Sequence, residues 1–228
     1  MERGTKLVST GIEDLDRILG GKGYPDQSAI LLISPPGAGK SELAYLFVKS
    51  GLRCEEITVC ITYRAVGDML NDMATFGVNK ESPAHWIRCL GDSTKYNLSN
   101  LTNLFIEISK VINGLGAAPK RIYMDILSPL YMLHSAKTVY TFISNMLQFL
   151  KDHGATVVAC LDEGVASLEA QRSMEMVFDG AIEIKLLEER FKILPLMRVT
   201  KMQSLSPTFS YYLLKIRKAE VHFNDFNA

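Results

Sequence analysis

The run Ser34-Pro35-Pro36-Gly37-Ala38-Gly39-Lys40-Ser41 contains the residue types needed to hold an anionic phosphate chain. Its glycines let successive backbone N–H groups converge on one anion, and a helix starting at the end of the run adds the positive end of its dipole. In such a loop Lys40 reaches the β- and γ-phosphates and Ser41 offers its hydroxyl to Mg²⁺, while Glu42 completes the candidate nucleotide-binding set. Against the pattern G-x-x-x-x-G-K-[ST], Ser34 stands where the first glycine belongs. A left-handed backbone at that position would cost a serine about 1 kcal/mol. The competing reading is a Gly/Pro turn that happens to carry a lysine, and the order strand, loop, Lys-Ser, helix opposes it.

Further along, Arg121-Ile122-Tyr123-Met124-Asp125 is an apolar strand ending in a carboxylate. A lone aspartate at a strand end is ordinarily a turn residue. Coupled to a phosphate loop it becomes a candidate for holding the Mg²⁺ shell through a water, so Ser41 and Asp125 are the candidate metal residues.

The elements that must position these groups follow from periodicity. Short β-branched runs alternate with longer helical patterns, which predicts a mostly parallel sheet with crossover helices. The expected strands are 29–33, 57–62, 85–90, 121–126 and 155–161. The expected helices run from about Ser41 to Gly51, Val66 to Phe76, Leu98 to Ile112 and Ala136 to Asp152. Beyond Val177 the pattern turns to strand after strand, at 181–187, 193–202 and 209–216, read as antiparallel strands extending the sheet. No internal repeat and no linker rich in Pro, Gly or Ser divides the chain, so residues 1–228 are read as one domain.

The bulk numbers agree. With 228 residues, 47% of them hydrophobic, 22% charged and only eight prolines, the chain buries a core without disulfides or metals, and disordered and fibrous classes are excluded. Lys plus Arg equals Asp plus Glu at 25 each, so no global field draws it to nucleic acid or an anionic membrane. Cys54, Cys60, Cys89 and Cys160 form no C-x-x-C pair and read as buried thiols of a reducing cytosol. The N-terminus, Met1 onward, has no apolar leader segment, and no apolar stretch approaches about 18 residues, so a cytoplasmic location without membrane insertion is expected. His85, His134, His153 and His222 show no ligand spacing; Trp86, Met69 and Met73 read as core.

A family resemblance rests on specific stretches. The opening Ser9-Thr10-Gly11-Ile12-Glu13-Asp14-Leu15-Asp16-Arg17-Ile18-Leu19-Gly20-Gly21, then Gly23-Tyr24-Pro25, precedes the strand and phosphate loop, with Lys22 as a one-residue insertion in a run of glycines. Later come Asp125-Ile126-Leu127-Ser128-Pro129-Leu130, Phe178-Asp179-Gly180-Ala181-Ile182 and Arg198-Val199-Thr200-Lys201-Met202. These resemble the "S-T-G-I-x-x-L-D-x-x-L-G-G-G-I-P", "D-S-L-S-A-L", "V-D-G-I-I" and "V-x-K-M-R" elements of KaiC-like and RadA-like proteins of the RecA superfamily. The resemblance spans nearly the whole chain. It implies an α/β, RecA-type P-loop core with ATP (or ADP) and Mg²⁺ at the carboxyl edge of the sheet.

Two departures matter. Active members of the family end the second strand with paired glutamates, in a pattern like "Y-V-S-x-E-E-S"; here Cys60-Ile61-Thr62-Tyr63-Arg64-Ala65-Val66 puts Arg64 and Ala65 in those places. A general base contributes about 10²- to 10⁴-fold, so slow hydrolysis at best is expected. Arg64 would either pair with the γ-phosphate or point to solvent. Asp68, Asp162 and Glu163 are the nearby substitute bases. In the second departure Gln203 replaces the arginine of "K-M-R", and Ser204-Leu205-Ser206-Pro207 lacks the histidine that follows, which weakens the expectation of composite sites in a ring. Residues 181–220 carry eight cations (Lys185, Arg190, Lys192, Arg198, Lys201, Lys215, Arg217, Lys218) against four acids, an excess that permits nucleic-acid contact without favouring it.

The expected function is ATP binding by a regulatory or scaffold protein, acting on an unidentified protein partner or a homo-oligomer, with weak or absent hydrolysis. An active DNA-associated ATPase using a substitute carboxylate and a nucleotide-independent interaction module are the alternatives.

Overall fold

The computed structural model describes residues 6–21, 23–79, 84–91, 95–118, 120–205, 210–217 and 220–226. The N-terminal Met1 to Thr5, the inserted Lys22, Ser206, Pro207, Phe209 and Lys218 lie outside the described residues.

Among the described residues nine strands form one sheet. In chain order they are β3 (Ala29–Ser34), β4 (Ile57–Thr62), β5 (His85–Arg88), β6 (Lys120–Asp125), β7 (Ala155–Asp162), β8 (Gly180–Glu189), β9 (Lys192–Met202), β10 (Tyr212–Arg217) and β11 (Glu220–Asp225). Their spatial order is β11-β10-β9-β8-β3-β7-β6-β4-β5. Strands β8 through β5 pair in parallel, and β9, β10 and β11 add antiparallel. The antiparallel extension expected from the sequence begins at the β8–β9 pair, while the other edge of β8 pairs in parallel with β3. A separate pair, β1 (Leu7–Val8) with β2 (Tyr24–Pro25), lies near the N-terminus.

The central strands are apolar throughout because helices cover both faces. Alternate residues divide between two cores. One face buries Ile30, Leu32, Cys60, Tyr123 and Val158 against α1 (Glu13–Ile18), α2 (Lys40–Arg53) and α3 (Val66–Thr75). The other buries Leu31, Ile33, Val59, Ile122 and Val157 against α4 (Leu101–Gly114), α5 (Leu127–Leu133), α6 (Ala136–Asp152) and α7 (Leu168–Val177). The period of two in the strands produces this division.

Buried polar side chains tie the layers. Arg121, 2% exposed, bonds Glu56 and donates to the carbonyls of Ser9 (2.7 Å) and Phe47 (3.1 Å). It lies across Gly51, where a Cβ would collide with its Cδ. Lys120 donates to the carbonyls of Gly116, Ala118 and His153, so one ammonium ties the turn after α4 to the C-cap of α6. The Ser9-Thr10 stretch is organised by Asp16, which accepts from Ser9 Oγ, Thr10 N and Thr10 Oγ1 at 2.6–2.8 Å. Asp179 likewise accepts from Ala29 N, at the start of the strand that leads into the phosphate loop. Cys60, Cys89 and Cys160 are buried as expected, and burial pushes their thiols up; Cys54, at the end of α2, is exposed.

Candidate nucleotide-binding site

The loop between β3 and α2 lies at the carboxyl edge of the parallel strands. Ser34 closes β3, fully buried, and its Oγ donates to Pro35 O at 2.7 Å. The left-handed non-glycine residues among those described are Gln27, Glu55, Arg190 and Ser204, so the anticipated strain at Ser34 does not arise. The turn instead uses Gly37 (φ 76°) and Gly39 (φ 112°). Gly39 serves as the N-cap of α2, and no side chain caps it. The first N–H groups of the helix are therefore left for an outside acceptor. Gly37 faces open space, whereas a Cβ on Gly39 would meet Leu214 Cδ2 at 2.8 Å and Ile216 Cδ1 at 3.0 Å, so β10 seals the far side of the loop.

Gly37, Gly39, Lys40, Ser41 and Glu42 line a cavity of about 290 Å³ whose other wall is Tyr45, Arg64, Asp72, Thr75 and Phe76. Of the remaining expected residues, Pro35 and Pro36 shape the turn and Ala38 is buried beneath it. Lys40 is 6% exposed, and its Nζ lies 2.5 Å from Asp162 Oδ1 at the end of β7. Asp162 also accepts from Ser128 Oγ of α5 at 2.8 Å. A buried ammonium requires such a partner, and a triphosphate would supply another.

Asp125 ends β6, separated from β3 by β7, on the same edge of the sheet. Burial raises its pKa to about 6; Lys40 and Arg64 oppose the rise and Asp162 adds to it. A carboxyl that ionises reluctantly when alone gains most from a neighbouring cation, which suits a metal-shell position. Loop, uncapped helix, lysine, hydroxyl and carboxylate together fit a nucleotide triphosphate with Mg²⁺.

Arg64 follows β4. Its Nη1 donates to Tyr45 Oη at 2.8 Å and its Nη2 to Asp72 Oδ2 at 2.5 Å, so the guanidinium is held on the cavity wall and not released to solvent. Of the substitute bases, Asp68 and Glu163 are exposed and do not line the cavity, although Glu163 N donates to Ser34 O at 2.8 Å. Tyr45, Asp72, Thr75, Phe76 and Ser128 escaped the sequence reading. Tyr45, one helical turn after Ser41, shares its face of α2, and that spacing was the available signal. Asp72 and Ser128 reach the site by tertiary packing that local spacing does not encode.

Among the described residues, three of the eight C-terminal cations are used within the fold. Arg198 and Lys185 both pair with Glu183, and Lys201 donates to the carbonyls of Glu175, Met176 and Phe178 at the end of α7. No helix among the described residues is long and apolar enough to cross a membrane.

Comparison with known proteins agrees with the geometry. The family model described as "ATPase: KaiC" matches residues 8–225. A circadian clock protein KaiC2 of Synechocystis is 25% identical over 151 residues, covering 66% of this chain and 26% of that protein. A UPF0273 protein of Aeropyrum pernix is 30% identical over 154 residues, covering 67% of this chain and 52% of its own length. The chain thus aligns with about half or less of these relatives. Among solved structures, a KaiC-like protein of Pyrococcus horikoshii superposes with a TM-score of 0.80 at 19% identity, covering 96% of this chain and 99% of that one, and it shares the fold. The chain belongs to the KaiC family of ATPases.

Proposed function

We propose that this chain is a single ATP-binding domain of regulatory or scaffold type, whose bound nucleotide governs contacts with a protein partner or with further copies of itself and is turned over slowly or not at all. The loop of residues 34–41 would wrap the phosphates with its non-proline N–H groups, Lys40 would leave Asp162 for the β- and γ-phosphates, and Mg²⁺ would be held by Ser41 directly and by Asp125 through water.

The observation that carries the reading is at the end of β4. By the family resemblance Arg64 and Ala65 stand at the two carboxylate positions of hydrolysing members, and Arg64 is tied to Asp72 and Tyr45 on the wall of the cavity beside Lys40. On this reading a water-activating base is missing there, while the loop, Lys40, Ser41 and Asp125 would supply the binding groups. Asp162, the alternative base beside Lys40, accepts from Ser128 Oγ at 2.8 Å and is not among the residues that line the cavity.

Titration with ATP and Mg²⁺, followed by analysis of the nucleotide retained, tests both halves. Saturable binding lost in Lys40→Ala, with turnover no higher than in that variant, supports the proposal. Robust wild-type hydrolysis, or turnover stimulated by single-stranded DNA, would replace it with the active-ATPase reading. Absence of any heat or thermal shift with ATP or ADP would make the loop a relic. A cytoplasmic location and a role without nucleic acid are part of the same proposal.

A further inference from the structure

The ion pair between Arg64 and Asp72 sits where it gives little stability. Its side chains are 30% and 49% exposed, and pairs this open contribute roughly 0–1 kcal/mol. Yet its geometry is specific. Arg64 stands at the junction of β4 and α3, its backbone N–H donates to Thr62 Oγ1 at 3.0 Å, and its fork spans Tyr45 of α2 and Asp72 in the second half of α3. The guanidinium has five donors, of which these contacts use two. The cavity that it borders is the one lined by Lys40 and Ser41.

The element on the other side of the pair is lightly held. Among the residues of α3 only Met69 and Met73 are buried, no side chain caps its N-terminus, and Asp72 and Thr75 face the cavity. By contrast α2 buries Leu43 through Val48 without interruption. Whatever draws Arg64 away from Asp72 therefore removes a tether from the most weakly anchored helix bordering the site.

We propose that Arg64 discriminates nucleoside triphosphate from diphosphate by exchanging Asp72 for terminal phosphate oxygens, and that α3 is the element whose position reports the exchange. A terminal phosphate carries more charge than one carboxylate and offers the fork two acceptors at once, so it outcompetes a half-exposed aspartate. A diphosphate held by Lys40 and the loop leaves Arg64 on Asp72. Differential interaction with the two ligands is what a switch of this kind requires. The inference rests on the nucleotide-binding reading above and adds to it the choice of ligand and the moving part.

The test compares affinities for ADP and for a non-hydrolysable ATP analogue, both with Mg²⁺, by calorimetry, and amide hydrogen exchange across residues 66–75 in each state. The wild-type chain should prefer the triphosphate, and exchange in α3 should rise with the analogue but not with ADP. Arg64→Gln should lower the triphosphate-to-diphosphate preference about tenfold or more, the loss expected for one charge-assisted contact. Asp72→Asn frees the guanidinium without removing it. It should raise that preference severalfold and leave α3 exchange high even without nucleotide. If wild type and Lys40→Ala alike bind neither ligand, the underlying reading fails and the switch with it. Nucleotide binding with an unchanged preference in both variants, or with α3 indifferent to ligand, overturns the switch alone.

Discussion

Lys40 and Asp162 face each other across the end of β7, 2.5 Å apart and mostly shielded from water, although 122 residues separate them in the chain. If Lys40 binds phosphate as proposed, this carboxylate is its countercharge until nucleotide arrives. Asp162, which accepts from Ser128 Oγ at 2.8 Å, would then compete with phosphate.

Asp162→Asn should consequently destabilise the nucleotide-free protein by about 1–3 kcal/mol, because it leaves a buried ammonium without an opposite charge. The same change should enlarge the stabilisation by Mg²⁺ and ATP, since phosphate then rescues the lysine and does not merely replace a partner. Thermal melts with and without nucleotide read both effects. A variant as stable as wild type and with the same nucleotide shift would show that the pair does not govern the site.

Asp125 predicts a pH dependence of opposite sense to an ordinary ion-paired carboxylate. Its pKa rises from 3.8 to about 6 on folding, chiefly through burial. The folded state thus binds the proton more tightly, and stability is complete below 3.8 and lost as pH climbs to about 6. Asp125→Asn removes the penalty. At pH 7–8 the nucleotide-free variant should be more stable by up to about 3 kcal/mol, the gain fading as pH falls below about 6. It should also lose the Mg²⁺-dependent part of ATP affinity. Equal urea midpoints for the two proteins at pH 8 would refute this account of Asp125.

Gly37 and Gly39 separate backbone strain from contact. Both have positive φ, but only Gly39 faces Leu214 and Ile216. Gly37→Ala should cost about 1 kcal/mol. Gly39→Ala should cost more, by the displacement of β10, and should weaken ATP binding further; Leu214→Ala in the same chain should recover only the contact part. Chemical denaturation of the three variants gives the comparison.

These predictions draw unequally on what the sequence made legible. Continuous apolar runs located β4, β7 and the body of β6, and the amphipathic stripe of α6 gave its bounds, because each element buries one face or two along its whole length. The phosphate loop was legible because backbone chemistry restricts its residue types locally. The two-residue strands β1 and β2 are too short for periodicity, and α5 carries Pro129 in its first turn, which masked it. Helix α7 exposes Leu168 and Met176, so its apolar stripe is broken. Strand direction leaves no mark on composition, so the parallel pairing of β8 with β3 is not legible in its residues. The partners of Lys40 and Arg64 depend on chain crossings, and Asp72 was passed over for Asp68 because both lie on α3 and only packing decides which faces the cavity.

Arg121 illustrates a strand residue with no role at the site and a large one in the fold. Arg121→Met would leave Glu56 without its partner and remove the side-chain donor that reaches the carbonyls of Ser9 and Phe47. A loss of about 3–5 kcal/mol is expected, measurable in urea, with nucleotide affinity of the folded fraction retained. A loss below about 1 kcal/mol would mean that the cluster is dispensable.

Arg64 and Ala65 offer the most direct test of the proposed loss of hydrolysis. If hydrolysis is slow because Arg64 and Ala65 occupy the carboxylate positions, then Arg64→Glu with Ala65→Glu should restore turnover. The loop, the lysine and both candidate metal groups are already in place on the same sheet edge. A positioned general base contributes about 10²- to 10⁴-fold, and an imperfectly seated one should still give about tenfold in phosphate release over wild type. Arg64→Gln with Ala65→Gln supplies the matching control, because it removes the cation and changes bulk similarly without a base. Equal rates in the two double variants would show that a carboxylate at these positions is not what hydrolysis lacks, and that the block lies in the geometry around Lys40 and Asp162.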